Sequence, residues 1–216
     1  MHTAPLSPPV TLQVRALGCR RGGRLLFSDL AFDLGPGDLV TLTGPNGSGK
    51  STMMRIVAGL APIEEGSVSF AGLGEEAEGR ALIHYHGHRE ALRDALTPRE
   101  NLDFGVRLLG GRPEDIGPAI DRLGARRLID LPVRVLSAGQ RRRVALARLL
   151  AAPRPIWLLD EPLAALDVAG QALVAELIAE HVAAGGAALV ATHQPLGITG
   201  RELTLRGFGP ITAEVA

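Results

Sequence analysis

Nine consecutive residues, Gly44-Pro45-Asn46-Gly47-Ser48-Gly49-Lys50-Ser51-Thr52, constrain this chain more than any other feature. They fit G-x-x-x-x-G-K-[ST], the phosphate-binding P-loop. Glycines 44, 47 and 49 permit backbone angles that aim successive N–H groups at phosphate oxygens. A helix opening near Lys50 turns its positive end on the same anion. In such a loop the lysine bridges the β- and γ-phosphates, and the hydroxyl of the next residue, Ser51, ligates Mg²⁺. Composition sharpens the point. The chain's 23 basic residues are 22 arginines and Lys50, its sole lysine. A thin ammonium threads beneath phosphates where a planar guanidinium fits poorly, so the one lysine stands where chemistry demands it.

The P-loop requires a strand before it and a helix after it, and the rest of the 216 residues follows that plan. Leu39–Thr43 is a short apolar strand and Ser51–Leu60 a helix. Val10–Leu17, Leu25–Leu34, Gly66–Phe70 and Ala81–Tyr85 read as strands. Pro98–Gly110 and Pro113–Leu123 have helical spacing, in a small helical insertion that starts near residue 92 and runs to about 136, or to about 152 with the helix Gly139–Ala151. Pro155–Leu159 and Ala187–Thr192 are buried strands around the helix Val168–Ala184. Continuous apolar strands alternating with helices signal a parallel α/β sheet. Residues 1–9 read as a loose arm, 10–216 as one domain, and the tail from 201 as short and strand-like.

Composition excludes several classes. Twenty-three basic residues balance 23 acidic ones and aromatics are 3%, which argues against a nucleic-acid partner. One cysteine excludes an intrachain disulfide framework. There is no apolar run long enough to span a bilayer, and the first residues lack the pattern of a signal peptide.

Two further segments bear on phosphate chemistry. Pro155-Ile156-Trp157-Leu158-Leu159-Asp160-Glu161-Pro162 is an apolar strand ending in two carboxylates. At the carboxyl edge of a sheet, Asp160 falls near Mg²⁺ and Glu161 is placed to polarise the attacking water. His193 follows the strand 187–192 and is expected at the same edge, in reach of a γ-phosphate. Leu136-Ser137-Ala138-Gly139-Gln140 opens another helix, with Ser137 as N-cap, and forms a second anion site. The two anion sites begin separate helices, and a head-to-tail pair of chains could bring them onto one nucleotide.

With these segments in order, the sequence resembles the ATP-binding subunits of ABC transporters over about residues 10–205. The likeness rests on the P-loop, LSAGQ (against the usual LSGGQ), LLDEP, Ala165-Leu166-Asp167 and His193. Within that family the stretches LSAGQRRRVALARLL, LLDEP-x-x-ALD and ATHQPL resemble most the subunit of the bacterial cytochrome c maturation (haem exporter) system. The resemblance implies a P-loop cassette with a RecA-like parallel-sheet core, an N-terminal antiparallel β subdomain and a small helical subdomain. It implies ATP and Mg²⁺ as ligands, with residues 44–52 on the phosphates and Ser51 and Asp160 on the metal. Glu161 and His193 are then catalytic, and Ser137, Ala138, Gly139, Gln140 and Asp167 complete a partner's site. The implied partners are membrane permease subunits, a second copy of the chain and, indirectly, a haem-handling chaperone, on the cytoplasmic face of the inner membrane. Either haem crosses or ATP releases a haem-loaded chaperone; the sequence leaves both open. A transporter for another substrate, a soluble ABC ATPase and a P-loop kinase are the rivals, the last disfavoured because it has no use for LSAGQ.

The sequence departs from the family pattern in two places. No Gln lies between Gln13 and Gln140, although the family places a metal-facing Gln after the strand 81–86. Position counting puts His88 there, with Arg89 beside it, and only a neutral His accepts a water-mediated contact from the metal's shell. The family's adenine-stacking aromatic is also missing. Counting places Arg21 at that position, where a guanidinium plane either stacks on the base or belongs to a solvated turn. His84, His86 and His88 alternate as in a one-faced strand, although a buried strand end with a nucleotide-sensing loop fits them better than a metal or haem site. Arg141, Arg142 and Arg143 cannot share one helix face, so they read as a partly solvated, salt-bridged set.

Overall fold

The computed structural model describes residues 9–73 and 79–207. Most of the expected N-terminal arm and the end of the tail lie outside these residues. Two sheets organise the chain. Strands β1 (Thr11–Arg21), β2 (Arg24–Leu34) and β4 (Glu65–Ala71) form an antiparallel sheet in the order β2-β1-β4. Strands β3 (Leu39–Thr43), β5 (Ile83–His86), β6 (Ile156–Asp160), β7 (Ala187–Ala191) and β8 (Arg201–Thr204) form a sheet in the order β5-β6-β7-β3-β8. All of its neighbouring pairs are parallel.

The central strands β6 and β7 of the second sheet are buried throughout, as their unbroken apolar runs require, while the edge strand β8 is mostly exposed. Alternate residues serve different layers. Ile156 and Leu158 of β6 join Leu42 and Leu189 against Met53, Met54 and the antiparallel sheet. Trp157 and Leu159 join Val190 against Val144, Leu146 and Ile178. Helix α1 (Lys50–Val57) thus lies in one layer. Helices α4 (Ala138–Ala151) and α5 (Val168–Ala183) lie in the other, with α2 (Pro98–Leu108) and α3 (Ile116–Arg122) packed on α4.

Local chemistry sets the boundaries. The hairpin β1–β2 turns at Gly22-Gly23, both at positive φ, which matches a tight primed turn and carries β1 four residues past its apolar stretch. Helix α1 stops short of Leu60 because the Leu60 N–H reaches back to the Arg55 carbonyl across Gly59 at φ 74°, a Schellman closure. Strand β5 starts two residues later than its apolar run suggests, with Gly79–Leu82 forming a 3₁₀ turn. Its partner β6 begins at Ile156, opposite Ile83, and the preceding Pro155 has no N–H to extend the ladder.

Candidate functional site

In a parallel sheet every strand delivers its C-terminal end to the same edge. Here β5, β6, β7 and β3 are adjacent, so four loops converge there. They line one cavity of 630 Å³ with Asn46, Gly47, Gly49, Lys50, Ser51 and Thr52 after β3, Asp160 and Glu161 at the end of β6, His193 after β7 and His88 after β5. Arg21 and Leu26, from the β1–β2 hairpin, close the wall.

The loop after β3 is held open from within. Gly49 is the N-cap of α1 at φ 100°, with no side-chain cap, so the first N–H groups of the helix stay free for an anion. A Cβ on Gly49 would lie 3.1 Å from the Phe27 ring and 3.2 Å from Leu26 Cβ, and one on Gly44 would lie 2.2 Å from the Leu205 carbonyl. Phe27, the nearest aromatic in the chain, is therefore used as the seat of the loop and is buried. Lys50 is 8% exposed, and its Nζ donates to the carbonyls of Gly44 at 2.7 Å and Pro45 at 3.2 Å.

Opposite lies the acidic pair. Asp160 is buried, and its Oδ2 and the Glu161 Oε1 have no hydrogen-bond partner among the described residues. Burying carboxylate oxygens unpaired is costly, and a hard divalent cation with its water shell satisfies them. One hydroxyl (Ser51) and one carboxylate (Asp160) suit Mg²⁺, which takes few protein ligands when phosphates supply the rest. No group of three or more His, Cys, Asp or Glu among the described residues makes a separate metal site. Glu161 adopts φ 52°, an uncommon conformation for a side-chain-bearing residue that clusters at functional sites. Its N–H bonds the Ala191 carbonyl at 2.8 Å, and its Oε1 stands 3.5 Å from His193 Nε2.

The segment 137–140 lies elsewhere. Ser137, Ala138, Gly139 and Gln140 line a second cavity of 640 Å³ with Arg127, Arg143 and Asp167. Ser137 is the N-cap of α4 in a reciprocal capping box: its Oγ accepts from Gln140 N at 3.3 Å, and Gln140 Oε1 accepts from Ser137 N at 2.9 Å. Ser-x-x-Gln ahead of an apolar helix carries that signal in the sequence. A Cβ on Gly139 would lie 2.6 Å from the Ala165 carbonyl. Asp167 caps α5 by accepting from Gly170 N at 2.9 Å and also pairs with Arg143 at 2.7 Å. These two bonds, the backbone one first, hold its carboxyl below the usual range.

His88 lines the cavity that holds Lys50 and Asp160, whereas Arg89 does not line it. The three alternating histidines do not form one cluster. His84 Nε2 donates to the Ala152 carbonyl at 2.6 Å, and His86 Nε2 accepts from Arg142 Nη1 at 3.0 Å, since a guanidinium only donates. Burial pushes His84 down to about 4, and burial, then the nearby Arg142, pushes His86 down to about 3. The triple arginine divides as well. Arg141 pairs with Asp94, Arg142 with Glu90 and Arg143 with Asp167, as a salt-bridged set should, but Arg142 is 3% exposed. It lies on the face of α4 that carries Ala145 and Leu149, an i, i+3, i+7 series legible in the sequence. Arg127 of the second cavity had no comparable signal.

Comparison with known proteins agrees with this geometry. Residues 27–164 match the ABC transporter family. The chain is 47% identical over 194 residues to the cytochrome c biogenesis ATP-binding export protein CcmA of Rhodopseudomonas palustris, covering 90% of this chain and 97% of that one. Against the protein of the same name from Nitrobacter winogradskyi it is 48% identical, covering 91% and 98%. Among solved structures it superposes on the ATP-binding subunit of an ABC transporter with TM-score 0.75 at 25% identity, covering 84% and 79%. A Pyrococcus furiosus protein described as an ABC transporter ATP-binding protein shares the fold at TM-score 0.78 and 21% identity, covering 90% and 97%. The chain thus belongs to the ATP-binding subunits of ABC transporters, in the branch of the cytochrome c biogenesis export proteins.

Proposed function

We propose that this ABC-type ATPase hydrolyses ATP at a site shared between two copies of itself and so drives a membrane complex of cytochrome c biogenesis. The observation that carries the reading is the division of the anion-binding parts: the loop 44–52 and the segment 137–140 line two cavities with no residue in common. A head-to-tail pair presents the second to the nucleotide held by the first.

In that pair, residues 44–49 and the N–H groups opening α1 hold the phosphates, and Lys50 exchanges its two carbonyl partners for β- and γ-phosphate oxygens. Ser51 and Asp160 would hold Mg²⁺, with His88 reaching it through water. When bound, the ion neutralises charge that builds on the transferring phosphoryl group. Glu161 orients and deprotonates the attacking water, and His193, 3.5 Å from it, contacts the γ-phosphate. Arg21 faces the base. The partner's Ser137, Ala138, Gly139, Gln140 and Asp167 close the site from the other side. The helical part of the chain, about 92–152, carries that closing segment.

The remaining partners are membrane permease subunits, with a haem-handling chaperone served indirectly, at the cytoplasmic face of the inner membrane. Supporting a peripheral place, no described helix is long and apolar enough to cross a membrane. Mixing two inactive variants tests the shared site. A Lys50→Ala chain and a Ser137→Ala chain, paired head to tail, leave one intact composite site in each mixed dimer, about a quarter of all sites in an equal mixture. Hydrolysis returning on mixing is expected; two variants that stay inactive together would overturn the shared site.

A further inference from the structure

Helix α4 presents residues 137–140 at its start, and one turn later its Arg142 meets the exit of β5, whose following residue His88 lines the other cavity. Arg142 is 3% exposed, and its guanidinium reaches the exit of β5. Nη1 donates to His86 Nε2 at 3.0 Å and to the Gly87 carbonyl at 3.3 Å, and Nη2 donates to the His88 carbonyl at 3.5 Å. The Glu90 carboxylate stands 3.7 Å from Nη2. Two turns on, Arg148 donates to the Glu90 carbonyl at 2.5 Å. From the opposite side, Tyr85 packs on Gly87 so closely that a Cβ there would lie 2.9 Å from its ring and hydroxyl. The four residues 87–90 therefore leave the sheet between an aromatic ring and a buried cation. Their side chains alone would not fix them, since His88 and Arg89 are exposed.

Burying a guanidinium needs a purpose or a compensation. Hydrogen bonds, Glu90 and the field of Asp160 and Glu161 supply compensation, yet Arg142 Nε has no hydrogen-bond partner among the described residues. A purely apolar contact at this position would be the cheaper way to pack α4 on β5. What the cation adds is direction: its planar fork can bind only carbonyls and a neutral ring nitrogen set as they are here.

We propose that Arg142 is a positioning residue: by gripping His86, Gly87 and His88 it fixes the β5–α2 loop so that the His88 side chain faces the nucleotide cavity. The same helix then joins the segment offered to the partner's nucleotide with the loop that attends the chain's own. A displacement of α4 when residues 137–140 engage is passed to His88 through one side chain. The step to catalysis rests on the reading of His88 given above; the grip itself does not.

A double-mutant cycle on the full-length chain, combined with hydrogen exchange, tests this. Arg142→Met removes the donors and keeps an unbranched stem; Arg142→Gln keeps an amide donor and serves as partial rescue, and as the working variant should the first not fold. Arg142→Met should lower kcat about as much as His88→Ala does, on the order of tenfold, with KM for ATP within about twofold. The double variant should be no slower than the slower single, because both act through one side chain. Amides of 87–90 should exchange faster while β6 and β7 keep their protection, and Arg142→Gln should regain part of both effects. Losses that multiply in the double variant would overturn the route through His88. Unchanged exchange at 87–90 would overturn the grip, whatever the kinetics. If His88→Ala keeps full kcat, the metal-facing reading of His88 falls instead, and faster exchange in Arg142→Met still upholds the grip.

Discussion

At the scale of single residues, the site joins two demands that ordinary protein surfaces avoid. Lys50 is nearly buried and donates to two carbonyls, and two buried carboxylate oxygens across from it have no hydrogen-bond partner among the described residues. Both become favourable once phosphates and a cation lie between them. Lys50→Arg should therefore reduce ATP hydrolysis at least about a hundredfold, although it conserves charge, because the planar fork does not fit the narrow seat; steady-state phosphate release checks it. Glu161→Gln is isosteric and keeps the unusual backbone angle, so ATP binding should persist while turnover falls by roughly 10²- to 10⁴-fold. Equilibrium binding beside single-turnover hydrolysis separates the two effects. Most of these side chains were legible in the sequence because phosphate chemistry fixes residue types at fixed spacings. Three arginines in a row read as a partly solvated, salt-bridged set, and Arg142 does pair with Glu90, but that reading misses its burial. The helix phase, which carries Arg142 inward with Ala145 and Leu149, is the stronger signal.

At the scale of elements, the start of helix α4 is a tight joint. Its capping box ties residues 137 and 140, and Gly139 lies under the loop 161–167 with no room for a methyl group. Gly139→Ala should destabilise the chain by about 1–3 kcal/mol as the Ala165 backbone is pushed aside, and should impair hydrolysis; thermal unfolding and turnover measured together check it. The same addition at position 138 already exists as alanine and is exposed. Strand β5 makes a second testable element. His84 and His86 are held neutral beneath α4, and burial likewise pushes His181, stacked on Trp157 at 3.9 Å, down to about 4. Native values below the unfolded value mean that the unfolded chain binds protons first as pH falls. Stability contributed by these rings is complete above about pH 6.5 and is lost on acidification toward pH 4, at about 1.4 kcal/mol per pH unit for each ring. Denaturant unfolding across that range should show the slope, reduced in His181→Phe. Periodicity located these strands and helices to within a few residues. The misplaced ends lie where pairing or a closure decides, as at Pro155, just ahead of the pair Ile156–Ile83 that opens β5 and β6, and at Gly59 after α1.

At the scale of the whole molecule, one parallel sheet accounts for the site. Its strand order gathers β5, β6, β7 and β3, whose following loops stand far apart in the chain, onto a single edge. No sequence pattern states that order; the right-handed crossovers of parallel strands and the pairing registers produce it. The separation of the two cavities is likewise a property of the assembled chain, because α1 and α4 begin on different parts of the molecule. The single lysine gives this architecture a practical corollary. An amine-selective reagent has one side-chain target in the entire chain, and that target lies inside the nucleotide cavity. On the function proposed above, each molecule thus carries a built-in occupancy gauge: the fraction of Lys50 shielded from acylation reports the fraction of filled sites, without mutation or an attached dye.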